Sequence, residues 1–324
     1  MKKDFLSITD LSPKEIWEVI TLAKKMKKNG QFKPVLENKT LVMIFEKPSL
    51  RTRLSFETGM KQLGGNAVYL TGKEIGIGSR ESFKDIAKVI SSMADTVMAR
   101  TFQHETISEL AKYAEVPVIN GLSDLEHPCQ ILADLLTIYE IKGKIFNTSP
   151  YPSPDRRGLK GLKLAFIGDG ENNVCHSLAL ACAMLGIDFV AASPNGYFMK
   201  PTIFVKAKQL AWGPGARILQ LTNPYEAVKD ADIVYTDTWI SMGDEKEAKK
   251  RVIAFKDYQV TTDLMKLAKN DAIFMHDMPA HRGKEVAAEV IDGLQSVIYQ
   301  QAENRLHAQK ALLVYLMAVE DDIH

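Results

Sequence analysis

The feature that most limits what this chain can fold into is a repeated switch of hydrophobic period. Apolar runs of strand length alternate with longer stretches whose apolar residues recur at helical spacing. "TLVMIFE" (40–46) is the first such run. "RTRLSFETGMKQLGG" (51–65) follows, with Leu54, Phe56, Met60 and Leu63 spaced for the buried face of a helix closed by glycines. The alternation continues through "NAVYL", "SFKDIAKVISSMA", "DTVMAR", "ISELAKYA" and "VPVING". Strands joined through helices run parallel, and a parallel sheet needs helices on both faces, so the expected class is α/β with doubly wound sheets.

At roughly 150 residues per domain, 324 residues suggest about two domains. A second alternating series supports this: "LKLAFIGDG", "NVCHSLALACAMLG", "DFVAASP", "DIVYTD" and "AIFMHD". Between the two lies "KIFNTSPYPSPDRRG" (144–158), whose Pro, Ser and charge predict an exposed loop. Ser12 and Pro13 open a first helix that Gly30 ends, and "ENRLHAQKALLVYLMA" (303–318) predicts an amphipathic last one.

Net charge is +1, from 41 basic and 40 acidic residues. That balance makes no electrostatic case for nucleic acid or an anionic membrane. No apolar run reaches the roughly 18 residues of a membrane span, and "MKKDFLSITDLSPKEIW" lacks the apolar stretch of a secretory signal. Cys129, Cys175 and Cys182 have no metal or disulfide spacing, so a reducing, cytoplasmic setting is expected.

Five stretches carry candidate chemistry. In "KPSLRTR" (47–53) a serine caps a helix whose first turn is basic. Positive charge there opposes the helix dipole, and an anion on the first-turn N–H groups would account for it. Arg51 and Arg53 point to nearly opposite sides, so one suits an anion and the other packing or an ion pair. A merely solvated helix start explains the stretch equally well. In "HPCQ" (127–130), His127 and Gln130 share a helix face and could address a carbonyl and an amide, although a capping histidine is the simpler account. "GDGENNVCHS" (168–177) lacks the third glycine of a dinucleotide fingerprint, leaving Asn172 and Asn173 to bind a carboxylate or cap the helix. "YTDTWISMGDE" (235–245) places Asp237 at a strand's carboxyl end, where parallel sheets bind ligands, or as a turn cap. In "FMHDMPAHRG" (274–283), His276 and Asp277 follow a strand and should face opposite ways.

Together these stretches resemble the aspartate/ornithine transcarbamylase family over essentially the whole chain, most closely its ornithine-using branch. S-x-R-T-R matches Ser49, Arg51, Thr52 and Arg53; H-P-x-Q matches His127 to Gln130; D-x-W-x-S-M-G matches Asp237, Trp239, Ser241, Met242 and Gly243; "AENR" is 302–305. The resemblance implies transfer of a carbamoyl group from carbamoyl phosphate to the δ-amine of L-ornithine, with no metal or organic cofactor. It implies that Ser49, Leu50 (through its backbone), Arg51, Thr52 and Arg100 hold the phosphate. His127 and Arg305 would contact the carbamoyl oxygen and Gln130 its amide. Asn173 and the Met242 backbone would bind the ornithine carboxylate, with Asp237 and Ser241 on its α-amine. It also implies a homotrimer, a substrate cleft between the domains, and a last helix packed back on the first domain. The corresponding domains are 1–145 plus 305–324 for carbamoyl phosphate and 146–304 for the amino acid.

Three departures stand out. Gly76 occupies the position from which the family reaches a neighbouring subunit's site with Gln or His, and 144–158 is a longer insertion than usual. His276, Asp277, Met278 and Pro279 stand where the family has H-C-L-P. The backbone carbonyls of Asp277 and Met278 would still accept from the carbamoyl nitrogen, across a cis bond expected between Met278 and Pro279. Asp277 is expected to engage the δ-amine. Two alternatives stay open: a transcarbamylase for another amine, selected by Asp277, and a non-catalytic binding paralogue.

Overall fold

A computed structural model describes residues 2–30, 34–77, 80–145, 157–240 and 245–318. The chain divides into two units, Met1–Leu136 with Glu303–His324, and Thr137–Ala302.

The first unit is built on four parallel strands, β1 (Thr40–Phe45), β2 (Asn66–Thr71), β3 (Thr96–Arg100) and β4 (Val118–Leu122), in the order β2-β1-β3-β4. Strands β3 and β4 are buried throughout and β1 nearly so, which is why they read as continuous apolar runs rather than alternating ones. The N-terminal segment closes the β4 edge, where Phe5 N–H donates to Val118 O at 2.8 Å. Helices α1 (Pro13–Asn29), α2 (Leu50–Gln62), α3 (Phe83–Met93), α4 (His104–Tyr113) and α5 (Pro128–Lys142) connect and cover the sheet. Helix α1 begins as expected, with Ser12 and Glu15 forming a reciprocal capping box, and ends at Gly30, whose φ of 66° favours glycine.

The second unit has five parallel strands, β5 (Lys163–Ile167), β6 (Asp188–Ala192), β7 (Ile218–Leu221), β8 (Ile233–Tyr235) and β9 (Ile273–Met275), ordered β9-β8-β5-β6-β7. Helix α6 (Asn173–Leu185) is buried from Val174 to Leu185, in keeping with a sequence apolar all round. Helices α7 (Pro201–Ala211) and α8 (Ala248–Phe255) follow, and α9 (Ile298–Met317) ends the described chain. No helix among the described residues is long and apolar enough to cross a membrane. All three cysteines are free and buried.

From Glu303 onward helix α9 is part of the first unit and packs within it. Lys310 Nζ donates to Gln62 Oε1 at 2.7 Å, and Tyr315 OH donates to Glu15 Oε1 at 2.5 Å. The expected loop at 144–158 is bounded by an antiparallel pair, Lys144–Ile145 with Arg157–Gly158; residues 146–156 lie outside the described ones. One core expectation fails. Phe56, Met60 and Leu63 are buried, but Leu54 is 58% exposed on the same side of α2 as Leu50, which is 74% exposed. The buried face of α2 follows Thr52, Ser55, Phe56 and Gly59 instead, two of them polar and therefore hidden from an apolar-period reading.

Candidate active site

In the first unit the site residues come from the carboxyl ends of strands and the helix starts beyond them, where parallel sheets expose backbone N–H groups. Ser49 follows β1 and caps α2, its Oγ accepting from Thr52 N–H at 3.3 Å. No acidic residue balances Arg51 and Arg53 in that first turn. Arg53 turns outward, pairing with Glu57 at 2.9 Å and lying 4.0 Å over the Tyr69 ring, so it is the structural member of the two. Arg51 instead acts on His127 through its charge.

Around His127 the structure gathers what the sequence scattered. Burial first, then the positive charges of Arg305, Arg100, Arg51 and Lys47, push its imidazole well below the ordinary histidine range. His127 is therefore neutral at pH 7, a hydrogen-bonding group within a cluster of cations. Arg100 ends β3 and Lys47 precedes the Ser49 cap; both are buried, as are His127, Gln130 and Arg305. Desolvated positive charge at this density calls for an anion.

Arg305, from α9, is fixed on several sides. Its Nη1 donates to Gln130 Oε1 at 2.5 Å and its Nη2 to Thr52 Oγ1 at 3.1 Å. With its amide turned to suit its neighbours, Gln309 Oε1 accepts from Nε at 2.9 Å and Nη2 at 3.0 Å. Gln130 Nε2 in turn donates to the buried Asp134 carboxylate at 2.8 Å. The guanidinium plane and the amide are thus set before any ligand arrives.

The second unit holds the other candidates. Asp237 follows β8 and is buried, its Oδ1 accepting Thr238 N–H at 2.6 Å. Asn172 caps α6 through Oδ1 on Val174 N–H and uses Nδ2 to bind Asp237 Oδ2, both at 2.7 Å. Of the two roles the sequence left open for this asparagine pair, binding a carboxylate ligand or capping the helix, Asn172 takes the cap, and its amide is engaged by Asp237. Trp239 is an anchor: its ring stacks 6.0 Å from Phe255, and its carbonyl accepts from Arg251. Ser241, Met242 and Gly243 lie outside the described residues.

After β9 the Met278–Pro279 bond is cis, as expected from the sequence. His276 and Asp277 do not diverge. Their Nδ1 and Oδ1 lie 3.6 Å apart, because β9 stops at Met275 and the chain turns, with Met278 at φ 58°. Glu285 ties this turn down: it faces His276 Nε2 at 3.3 Å and accepts the His281 N–H. Although burial raises the Glu285 carboxyl, these bonds more than offset it and leave it below its ordinary value. Gly76 has φ 63°, and a Cβ there would come within 2.6 Å of Arg80 Cβ, so the backbone itself favours glycine at this position.

Lys47, Asp134 and Glu285 are the supporting residues that sequence reasoning did not assign to the site. Lys47 sits inside a quoted motif, whereas Asp134 and Glu285 carry no local signal.

Residues 3–140 match the family described as aspartate/ornithine carbamoyltransferase, carbamoyl-P binding domain. Residues 160–316 match its Asp/Orn binding domain. The chain is 52% identical over 318 residues to an ornithine carbamoyltransferase of Anoxybacillus flavithermus, covering 97% of this chain and 96% of the relative. It is 50% identical over 311 residues to that of Bacillus subtilis, covering 96% and 92%. Among solved structures, the ornithine carbamoyltransferase from Pyrococcus furiosus superimposes with a TM-score of 0.90 at 47% identity, covering 98% of this chain and 97% of the other.

Proposed function

This chain belongs to the aspartate/ornithine carbamoyltransferase family, and on that premise we propose that it transfers the carbamoyl group of carbamoyl phosphate to the δ-amine of L-ornithine, releasing L-citrulline and phosphate. The observation that carries the reading is the buried array of His127, Gln130, Arg305 and Arg100, with the half-buried Arg51, around the Ser49-capped start of α2.

The phosphate belongs on the first turn of α2, with Ser49, the Leu50 backbone, Arg51 and Thr52, and with Arg100 from β3. The Arg305 fork and neutral His127 donate to the carbamoyl oxygen and stabilise the oxyanion as the amine attacks. Removing one such donor typically lowers kcat by about 10²–10³. Gln130 takes the carbamoyl amide, together with the Asp277 and Met278 carbonyls. Asn173 and Met242 hold the ornithine carboxylate, with Asp237 and Ser241 on its α-amine.

We also assign a homotrimer in a reducing cytoplasm. Leu50 and Leu54 form an exposed apolar strip on α2, beside the edge strand β2 with its exposed Val68. Light scattering on wild type and Leu54→Glu tests the assembly.

The deciding experiment is citrulline formation from carbamoyl phosphate and ornithine, with putrescine, lysine and N-acetylornithine as competing acceptors. Turnover with ornithine is expected. Turnover only with another acceptor would reassign the amine, and none at all would leave a binding protein.

A further inference from the structure

Two carboxyl groups meet where the family resemblance places only one. Strands β8 and β9 are parallel neighbours with Tyr235 opposite Met275, so residues two beyond each, Asp237 and Asp277, converge. Asp237, Asp277 and His276 each offer an atom, all within 4.8 Å of one another. Asp237 is 7% exposed and the Asp277 side chain 12%.

The hydrogen bonds show how His276 is held beside the two carboxyl groups. Met278 N–H donates to His276 Nδ1 at 2.9 Å, so that nitrogen carries a lone pair. The ring proton is then on Nε2, facing Glu285 Oε1 at 3.3 Å. Both ring nitrogens are thus engaged within the turn. The surrounding groups are the Asn172 amide on Asp237, the Cys175 thiol of α6, Asp169 paired with Arg251, and His281 with Glu285 beyond β9. Two carboxylates this close in a largely dry site resist ionising together. The Asp237 carboxyl follows that logic: burial first, and the negative charge of Asp277 next, push it well above the ordinary carboxylate range.

We propose that Asp237 and Asp277 form an acid pair that holds one proton in the empty site and accepts the proton of the acceptor's terminal ammonium during turnover, making Asp277 a catalytic residue. The proposal rests on the carbamoyl-transfer reading above. As the cationic acceptor binds, the pair releases its proton to solvent. The doubly ionised pair then takes a proton from the terminal ammonium. The freed nitrogen lone pair bonds to the carbamoyl carbon, and the carbon–oxygen bond to phosphate breaks with its electron pair going to that oxygen. The second nitrogen proton leaves on the phosphate as hydrogen phosphate. A lone aspartate near 3.9 faces an amine near 10.4, a gap of about six units. A pair bearing two charges binds its first proton more tightly and narrows that gap.

Two measurements on the whole protein test the pair. The first is the infrared band of a protonated carboxyl in the unliganded protein, taken as wild type minus the double variant Asp237→Asn with Asp277→Asn across pH. The band is expected to persist near neutral pH, where an isolated aspartate is ionised; its absence there overturns the proposal. The second is log(kcat/KM) for ornithine against pH. In wild type the rise, tenfold per pH unit, should level off where the free pair loses its proton. In Asp277→Asn, and in Asp277→Ser as a second variant should the first fold poorly, the rise should continue at least one pH unit further, toward the amine's own value. A break at the same pH in wild type and variant overturns the proposal. Absence of citrulline formation by wild type would defeat the reading of function, while the infrared band would still decide whether the pair exists.

Discussion

Asn172 Nδ2 donates to Asp237 Oδ2 at 2.7 Å while Asn172 Oδ1 caps α6, so one side chain both starts a helix and aims the carboxyl group just beyond a neighbouring strand. Asn172→Ala should therefore do two separable things. Loss of the cap costs about 1 kcal/mol of stability. Loss of the amide frees Asp237 to rotate, raising KM for ornithine roughly tenfold while KM for carbamoyl phosphate stays within about twofold. Steady-state kinetics with each substrate varied in turn read the split, and equal rises in both constants would contradict it.

Arg305 is held by Gln130 and Thr52 through different guanidinium nitrogens. A lysine keeps the charge but not the fork. Arg305→Lys should lower kcat by about 10²–10³, as expected for an oxyanion donor, with a smaller change in thermal midpoint than in rate. Gln130→Ala should lower kcat as well, and the double variant should lose less than the sum, because each side chain positions the other.

Most of the fold was legible because parallel strands here are short apolar runs bounded by capped helices, as at Ser12, Ser49 and Asn172. Leu54 misled because apolar spacing says which residues share a face, not whether that face is buried within one chain. In the site, motif residues at strand ends could be found locally. Asp134 and Glu285 could not: they serve Gln130 and the His276 turn through contacts that exist only after folding. The expected divergence of His276 and Asp277 assumed a strand that continued, and β9 stops at Met275, before both residues.

Because the buried His127 imidazole is held well below its ordinary value, it should make the protein acid-labile. The unfolded chain takes up a proton near pH 6.5 that the folded site resists. Stability associated with this residue is therefore full above about 6.5 and falls as pH drops toward the folded value. His127→Gln should show a shallower decline of thermal midpoint between pH 7 and pH 5 than wild type. Parallel curves would show that the imidazole carries no such linkage.

Glu15 joins the two ends of the first unit. Burial raises its carboxyl, but hydrogen bonds from Lys3, Tyr315 and Ser12 outweigh that and bring it to about 2. Its contribution is complete above the unfolded value of 4.5 and is lost as pH falls toward about 2. Glu15→Gln should lower the thermal midpoint at pH 7, and the deficit should shrink as pH falls below about 4.5. Tyr315→Phe, which removes one of the donors, should show a smaller deficit of the same sign.

Arg251 Nη1 reaches Asp169 Oδ2 at 2.6 Å with both groups buried, at the loop that leads into α6. Burial raises the Asp169 carboxyl to about 6 even against the arginine's pull. Taking away the arginine alone strands a carboxylate in a dry site, so Arg251→Leu should cost about 3–5 kcal/mol. Asp169→Asn with Arg251→Leu leaves no charge behind and should be more stable than Arg251→Leu, as read from urea midpoints at pH 7. The pH dependence gives an independent check. Between 3.8 and about 6 the folded protein binds a proton at Asp169 that the unfolded chain has lost. This group's stabilisation is therefore full below 3.8 and disappears as pH rises through about 6. Asp169→Asn should flatten that part of the stability curve, and a double variant no more stable than Arg251→Leu would show that the cost lies in packing around Trp239 rather than in the stranded charge.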